Sequence, residues 1–430
     1  MIAKTSPMGW NSWDCYGPSV NEETVRKNAE YMAENLKKFG WEYIVVDIQW
    51  SQPTAGSHEY EPFADLCMDE YGRLIPAENR FPSSAGGKGF APLAEYVHSL
   101  GLKFGIHIMR GIPRQAVHKN MPIKGSDKTA RQIASASRIC QWNPDMYGVE
   151  PEKDGAKAYY DSIFELYASW GVDFIKCDDI CREFPHAEKE LIMLSDSLHN
   201  CGRDMVLSLS PGPALLEKAE LYKQISNMWR ITDDFWDKWE LLYAMFERAE
   251  KWCTHTGAGN WPDADMLPVG AILQNYDKNN RTKFTEDEQI TMMTLWCIFR
   301  SPLMIGGELT ATDEFTFGLL TNENILKMHK NARHSHQVWR KEIDGVEHAL
   351  WVAASSEGGI YLAVFNLGEK DSEVKISPEE IELEAFNRGI NLWSGNEVWV
   401  IDNVKRFSGL NVKLKKHGAQ AFYFGQTNAV

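Results

Sequence analysis

The chain is short of the features that mark nucleic-acid-binding, membrane-spanning and secreted proteins. Its 430 residues contain 45 Lys and Arg against 60 Asp and Glu, which gives a formal net charge of −15. Because phosphate groups and anionic membranes attract clustered basic side chains, this balance argues against nucleic acid and against a membrane surface as partner. No apolar run approaches the roughly 20 residues of a transmembrane helix, and the N-terminus lacks the basic and apolar segments of a secretory signal. The composition fits an enzyme that acts on a neutral substrate.

Cysteine pairs with the spacing of a zinc site are also missing. The eight cysteines are scattered singly through apolar surroundings, and the nearest pair, Cys177 and Cys181, has no companions that would complete a metal site. We therefore expect free, buried thiols in the reducing cytoplasm, and no metal or cofactor. The sequence is compatible with a homo-oligomer and does not decide it.

Strand-like and helix-like stretches alternate over the first 331 residues, which predicts βα units around a parallel sheet. Helical patterns such as 22–39 and 286–300 lie between the strands, and Thr285 and Glu288 have the spacing of a capping box. Eight units predict a closed (β/α)8 TIM barrel, an α/β fold that suits this length. The predicted strands are 7–10, 43–47, 103–108, 173–178, 205–210, 227–231, a weak strand that ends around 265, and 302–305.

After about residue 332 the apolar period changes from 3.6 to 2. Strand patterns at 347–354, 360–365, 398–401 and 421–424 are separated by Gly, Asn, Asp and Ser, which predicts an antiparallel β-sandwich of about eight strands. The sequence therefore predicts two domains, a catalytic barrel over residues 1–331 and a C-terminal β-sandwich over residues 332–430.

Hydrogen-bonding side chains stand where most of the predicted barrel strands end. The active site of such a barrel lies at the C-terminal ends of its strands, and two long connections, 51–89 and 110–154, leave from these ends. Charged side chains at so many strand ends would be costly as a mere core, because buried charges must be paired. The strand-end candidates are Trp10, Trp13, Asp47, His107, Lys176, Asp178, Ser208, Ser210, Arg230, Asp234, Asp263 and Asp265.

Lys176 and Asp178 are the most informative pair among them. Alternate residues share one face of a strand, so both side chains point the same way. One interpretation is that they form a structural ion pair. The other is that Asp178 and Asp234, which stands at another strand end, are the carboxylate pair of a glycosidase. In retaining hydrolysis one carboxylate attacks the anomeric carbon and a second, about 5–5.5 Å away, protonates the leaving oxygen. Lys176 would keep Asp178 ionised as the nucleophile, and Asp234 would be the acid/base in a less solvated setting.

Two other interpretations use the same strand ends. A metal hydrolase could combine one histidine with three carboxylates, His107 with Asp47, Asp178 and Asp265. However, a single well-placed histidine is few for zinc, and Lys176 would repel a cation. An inactive sugar-binding barrel is the alternative of another class, and it gives little reason for the lysine, the arginine and both catalytic carboxylates to occur together.

Short segments along the barrel carry a family resemblance, and in chain order they are MGWNSW (8–13), YIVVD (43–47), GRL (72–74), RFP (80–82), YVHS (96–99), GI (105–106), KCD (176–178), WR (229–230) and WPDADML (261–267). They resemble glycoside hydrolase family 27, which contains α-galactosidases, α-N-acetylgalactosaminidases and β-L-arabinopyranosidases. The resemblance implies a nucleophile, an acid/base and four sugar contacts, which are Asp178, Asp234, and Trp13, Asp47, Lys176 and Arg230. We further expect His107, Ser208 and Asp265 to line the sugar site.

Two positions depart from the pattern of many α-galactosidases in that family. Those enzymes have two adjacent aspartates after strand 2, the second facing the C6 hydroxyl, whereas this chain has Asp47 followed by Ile48. A β-L-arabinopyranoside has the ring configuration of an α-D-galactopyranoside without the CH₂OH group. Ile48 therefore favours the pentoside, unless it is only an apolar wall in a site that still takes galactose.

Strand 5 shows the second departure. Ser210 stands near a position where α-galactosidases often have Glu, and a small residue there resembles the N-acetylgalactosaminidases, although the following residues 211–213 match neither subgroup. The family's cysteine near the start of the strand 3 loop also has no clear counterpart in 110–118. A site without a disulfide is therefore expected.

Overall fold

The computed structural model describes residues 1–56, 60–182, 184–381, 388–400 and 409–425. The chain divides into two compact units, each built from discontinuous segments. The first unit comprises Met1–Asp234, Asp265–Arg281 and Leu303–Thr312, and the second comprises Phe235–Ala264, Thr282–Pro302 and Asp313–Val430. The domain boundary after residue 331 stays a prediction.

Eight strands of the described chain form the barrel sheet, and they coincide with the predicted ones to within about two residues at each end. They are β1 (Met8–Asn11), β2 (Tyr43–Val46), β3 (Lys103–Met109), β4 (Phe174–Asp178), β5 (Val206–Leu209), β6 (Met228–Arg230), β7 (Trp261–Asp263) and β8 (Leu303–Ile305). Their order in the sheet is β7-β6-β5-β4-β3-β2-β1-β8. Leu267, just after β7, forms a parallel bridge to Ile305 of β8 and so closes the circle. The predicted (β/α)8 barrel is confirmed.

The helices of the described chain are α1 (Trp13–Tyr16), α2 (Glu22–Tyr31), α3 (Ala91–Ser99), α4 (Arg114–Lys119), α5 (Ala130–Ile133), α6 (Ala156–Ser169), α7 (Phe184–His199), α8 (Ala219–Ile225), α9 (Trp239–Trp252), α10 (Glu286–Phe299), α11 (Glu314–Thr321) and α12 (Glu323–Asn331). The helix predicted over 22–39 is α-helical only to Tyr31 and continues as π and 3₁₀ turns. The capping box before α10 is confirmed, because the Glu288 N–H donates to Thr285 Oγ1 and the Thr285 N–H donates to Glu288 Oε2. None of these helices is both long and apolar enough to cross a membrane.

The long connection after β3 contains a small antiparallel sheet that the sequence did not predict. Its strands are Ile112–Pro113, Ala134–Ile139 and Met146–Val149, with the last in the middle. The first is two residues long and ends in proline, and the second shows no alternation of buried and exposed positions. A short, irregularly buried strand leaves no period-2 signal in the sequence.

The C-terminal region forms the predicted antiparallel β-sandwich. Its strands are β9 (Ala332–Ile343), β10 (Val346–Ser355), β11 (Ile360–Asn366), β12 (Ser372–Ile376), β13 (Arg388–Asn391), β14 (Glu397–Val400), β15 (Leu410–Leu414) and β16 (Ala419–Gly425). One sheet has the order β9-β10-β11-β16-β13-β14, and β12 pairs with β15 in the other. Apolar side chains of both sheets form one core, among them Leu350, Leu362, Val374, Val412 and Phe422. The predicted strand 398–401 is β14, although residue 401 lies outside the described residues.

Candidate active site

The strand register brings the predicted polar residues together in layers. His107 of β3 pairs with Lys176 of β4, and Lys176 pairs with Ser208 of β5. Asp178 follows Lys176 by two residues and therefore points to the same side, one layer nearer the C-terminal end of the barrel. Parallel strands of a barrel contribute side chains to its interior in such layers.

Asp47 and Lys176 form a buried ion pair at the base of the site. The Asp47 Oδ2 atom accepts hydrogen bonds from Lys176 Nζ and from Asn11 Nδ2, both at 2.8 Å. Burial is the largest influence on the pKa of Asp47 and acts to raise it, but the charges of Lys176 and His107 and the hydrogen bonds from Lys176 and the Ile48 N–H together bring the pKa below its ordinary value. Burial likewise opposes the charge on Lys176, while Asp47 and then Asp178 raise its pKa above the ordinary value. Both groups are therefore charged.

Asp178 is held at both carboxylate oxygens. Its Oδ2 lies 3.0 Å from His107 Nε2, and its Oδ1 accepts the backbone N–H of Asp179 at 3.1 Å. Burial acts to raise the pKa of Asp178, but the hydrogen bond and attraction of His107, followed by the charges of Lys176 and Arg230, hold it well below its ordinary value. From the sequence we expected Lys176 to keep Asp178 ionised, and we placed His107 only among the residues that line the sugar site. The structure adds His107 as the direct partner of the carboxylate.

Arg230 lies between two carboxylates, those of Asp265 and Asp234, on the other side of the site. Its Nη2 atom lies 2.7 Å from Asp265 Oδ2 and 3.1 Å from Asp234 Oδ1. Arg230 and Asp265 are buried, but the Asp234 side chain is 58% exposed. The less solvated setting predicted for Asp234 is thus absent, because this residue stands four positions beyond Arg230, outside the strand that buries the arginine.

An apolar wall lies beside these charges. Ile48 is buried and follows Asp47 directly, and its backbone N–H donates to Asp47 Oδ1 at 2.8 Å. We call the cluster around it the apolar wall, and its members are Ile48, Met109, Cys140 and Met146, with Trp13, Tyr60 and Trp142 packed against them. Tyr60 stacks on Trp13 with ring centroids 5.6 Å apart and lies 5.3 Å from the ring of Trp142. Flat aromatic faces of this kind suit the C–H faces of a sugar.

Two residues near the site carboxylates were missed by sequence reasoning. Burial, followed by the negative charges of Asp178 and Asp47, raises the pKa of Tyr60, so its hydroxyl stays protonated. Asp14 is fully buried, and burial followed by the charge of Asp265 raises its pKa well above the ordinary value. Tyr60 lies in the long connection after β2, which was expected to line the site, but no local pattern marked either residue.

The remaining candidates take different places. Ser208 and Ser210 are both buried, and the Ser210 Oγ atom makes no hydrogen bond to the described part of the chain. Trp10 is fully buried and donates from Nε1 to the carbonyl oxygen of Gly307, which is a structural role. Asp263 is a buried residue of β7.

The carboxylates that a metal hydrolase would use as ligands are paired with basic side chains instead. Asp47 is paired with Lys176, Asp265 with Arg230, and Asp178 with His107. In the described ranges, no three His, Cys, Asp or Glu side chains are grouped so that they could hold a metal ion. All eight cysteines lie in the described ranges, and none of them forms a disulfide.

Ionised and arginine-paired carboxylates, set beside aromatic rings at the C-terminal end of a barrel, are what a glycoside hydrolase uses to cleave a sugar bond. The family model for alpha galactosidase A matches residues 5–150 and 145–331 of this chain. The chain belongs to this family, glycoside hydrolase family 27, as the sequence motifs indicated.

Solved structures and curated relatives agree with this membership. A family 27 β-L-arabinopyranosidase from Geobacillus stearothermophilus is 53% identical, with a TM-score of 0.94 over 100% of this chain and 98% of that chain. A protein from Bacillus halodurans C-125, assigned as an α-N-acetylgalactosaminidase, is 49% identical, with a TM-score of 0.87 over 98% of each chain. Alpha-galactosidase 2 from Arabidopsis thaliana is 26% identical over 89% of this chain and 81% of its own length.

Proposed function

We propose that this protein is a retaining exo-glycosidase that removes terminal β-L-arabinopyranosyl residues in preference to α-D-galactosyl residues. The observation that carries the proposal is Ile48, a buried apolar side chain next to the charged Asp47, at the edge of a site that contains the ionised Asp178. The substrate would be a small glycoside or an oligosaccharide. A cytoplasmic location and assembly into a homo-oligomer stay predictions from the sequence.

The proposed reaction has two steps on the two carboxylates. Asp178 attacks the anomeric carbon and forms a glycosyl ester, while Asp234 donates its proton to the departing oxygen. Water then enters, Asp234 takes a proton from it, and the resulting nucleophile breaks the ester with a second inversion, so that the anomeric configuration is retained. His107 and the Asp179 N–H hold the Asp178 carboxylate in one orientation before each attack.

The substrate preference follows from what Ile48 can and cannot bind. The backbone of Ile48 is tied to Asp47, whose other oxygen binds Lys176, so the wall has a fixed position relative to the charged groups of the site. A galactoside would place its C6 hydroxyl against this apolar surface, where it loses hydrogen bonds to water at a cost of about 1–3 kcal/mol. A pentoside has no such group. The 53% identity to a β-L-arabinopyranosidase supports the same preference.

The proposal is tested by kinetics on three aryl glycosides with the same leaving group, a β-L-arabinopyranoside, an α-D-galactoside and an α-N-acetyl-D-galactosaminide. A hydrophobic wall rejects an added hydroxyl only moderately, so we expect the arabinopyranoside to be preferred by about 10–200-fold in kcat/KM. Ile48→Asp should shift the ratio towards the galactoside, and the matched control Ile48→Leu should not. A wild type that prefers the galactoside, with a ratio that Ile48→Asp leaves unchanged, rules the preference out.

A second candidate, α-N-acetylgalactosaminidase activity, is favoured by Ser210. Its hydroxyl is buried without a hydrogen bond to the described residues, and so could pair with an acetamido group at C2. The 49% identity to the Bacillus halodurans protein points the same way. The third glycoside of the experiment distinguishes the two, because only this candidate predicts that the acetamido sugar is the best substrate.

A further inference from the structure

Arg110 forms hydrogen bonds and an ion pair with the turn that contains Asp178 and Asp179. It is buried directly after β3, and its backbone N–H donates to the Asp178 carbonyl at 3.1 Å. Its side chain reaches the next residue twice, because Nε donates to the Asp179 carbonyl at 2.6 Å and Nη2 lies 3.0 Å from Asp179 Oδ2. One arginine thus contacts the backbone of both residues and the side chain of the second.

These contacts of Arg110 stabilise the backbone conformation of Asp179. Its φ is +58°, a left-handed conformation that non-glycine residues adopt at a free-energy cost. In this conformation its backbone N–H donates to Asp178 Oδ1. Any change in the conformation of Asp179 would therefore move the hydrogen bond that orients the Asp178 carboxylate.

Two buried partners keep Arg110 and Asp179 in register. Glu190 lies 3.5 Å from Arg110 Nη1, and it is itself fixed by the Tyr160 hydroxyl at 2.7 Å and the Val149 N–H at 2.9 Å. Cys140, a member of the apolar wall, adjoins Asp179. Burial, and then the charge of Asp179, raises the pKa of the Cys140 thiol to about 12, so the thiol stays protonated and can donate to that carboxylate.

We propose that Arg110 is a positioning residue, which holds the Asp178–Asp179 turn in register with the apolar wall and so sets the direction in which the Asp178 carboxylate attacks the sugar. The inference rests on the proposed function only in that Asp178 must be the nucleophile. A carboxylate misplaced by about 1 Å loses on the order of a hundredfold in rate, while the binding of the sugar ring depends on other residues. Arg110 should therefore affect kcat and leave KM nearly unchanged.

The test compares three variants of the full-length protein. Arg110→Lys keeps the positive charge but loses the fork of donors, and Asp179→Gly removes the carboxylate while glycine adopts φ +58° without strain. Arg138→Lys is the matched control, because Arg138 approaches the same Glu190 at 3.9 Å but donates to Val149 O and His186 O instead of the catalytic turn. Each variant is assayed for kcat and KM, for thermal unfolding, and for covalent labelling by a 2-deoxy-2-fluoroglycosyl fluoride, which is followed by intact mass and located in the wild type by peptide mass mapping.

We expect Arg110→Lys and Asp179→Gly to lower both kcat and the limiting labelling rate by about a hundredfold, with KM within about threefold of the wild type. Arg138→Lys should match the wild type in all three. If Asp179→Gly folds and labels at the wild-type rate, Arg110 acts only on stability and the inference is wrong, even if Arg110→Lys fails to fold. If the wild type is not labelled at Asp178, the proposed function fails instead, so the two failures are distinguishable.

Discussion

The His107 imidazole lies 3.0 Å from the Asp178 carboxylate, so a side chain of β3 hydrogen-bonds the predicted nucleophile on β4. An ionised carboxylate can only accept hydrogen bonds, and Nε2 of His107 must therefore carry the proton. The register that pairs His107 with Lys176 places the imidazole beside both charged residues of β4. The lowered pKa of Asp178 thus depends in large part on a side chain of the neighbouring strand.

Replacing His107 should change the pH dependence of the reaction. Burial acts to raise the pKa of Asp178, and His107 makes the largest contribution against it. His107→Phe removes this contribution, so the pKa of Asp178 should rise and the acid limb of kcat/KM should move to higher pH, with a loss of about 10–100-fold at neutral pH. His107→Gln, which retains a donor, should show a smaller shift. An acid limb that stays in place in His107→Phe would show that the contact does not control the carboxylate.

Asp178 and Asp234, the proposed nucleophile and acid/base, should respond differently to substitution. Asp178→Asn should abolish formation of the covalent glycosyl-enzyme. Asp234→Asn should slow substrates with poor leaving groups far more than activated aryl glycosides, because protonation matters only when the departing oxygen is basic. Mass spectrometry of the trapped intermediate and a leaving-group series provide the measurements. Wild-type turnover by Asp178→Asn, or an inverted anomeric product by NMR, would contradict the assignment.

Lys176→Met should destabilise the fold in a pH-dependent way. Asp47 has a folded-state pKa below its unfolded value of about 3.9, so the stability from its ionised form is present above that pH and is lost as the pH falls through the folded value. Removing Lys176 leaves the buried Asp47 carboxylate without its positively charged partner, which should lower the free energy of unfolding at pH 7 by about 3–5 kcal/mol.

Urea unfolding at pH 7 and pH 3.5 measures this effect, and the difference from wild type should narrow at the lower pH. Lys27→Met serves as the control, because Lys27 pairs with Glu23 on the exposed face of α2 and should change stability far less than Lys176→Met at either pH. An equal loss for Lys176→Met at both pH values would show that packing, rather than charge, explains it.

Ser210→Glu tests the pocket beside C2. If the buried Ser210 faces the 2-substituent, a glutamate there should reject a 2-acetamido sugar both by its bulk and by leaving a polar group unpaired. The ratio of kcat/KM for the acetamido sugar to that for the 2-hydroxy sugar should fall by at least about tenfold. Equal rates on the acetamido sugar before and after the change would show that Ser210 does not face C2.

Much of the barrel could be predicted because its strands are continuous apolar runs. β4 is bounded by Gly171 before it and by charged residues at its end, and its burial on both faces left a clear signal. The small sheet after β3 was missed because two of its strands are only two and four residues long and the third, Ala134–Ile139, is irregularly buried. The long strand β9 was missed because its residues are largely polar or half-exposed and show no regular alternation.

The candidate site likewise contains residues that could be predicted from the sequence and residues that could not. Asp178 and Lys176 were found from strand parity, and Arg230 and Asp234 from their place at the end of another predicted strand and from the family resemblance. Tyr60 and Arg110 were not found, since each acts through partners more than 60 residues away, Asp178 for Tyr60 and Asp179 for Arg110. Local patterns carry no information about such pairs.

The sequence alone determined which strands form the barrel, which strand ends are charged, and that an isoleucine follows Asp47, because these depend on local periodicity and residue type. Only the tertiary structure decided that His107 rather than Lys176 is the direct partner of Asp178, and that Asp234 is exposed beside a buried Arg230. The physical reason is that hydrogen bonds and burial depend on distances across neighbouring strands, which closure of the barrel sets and no single segment contains.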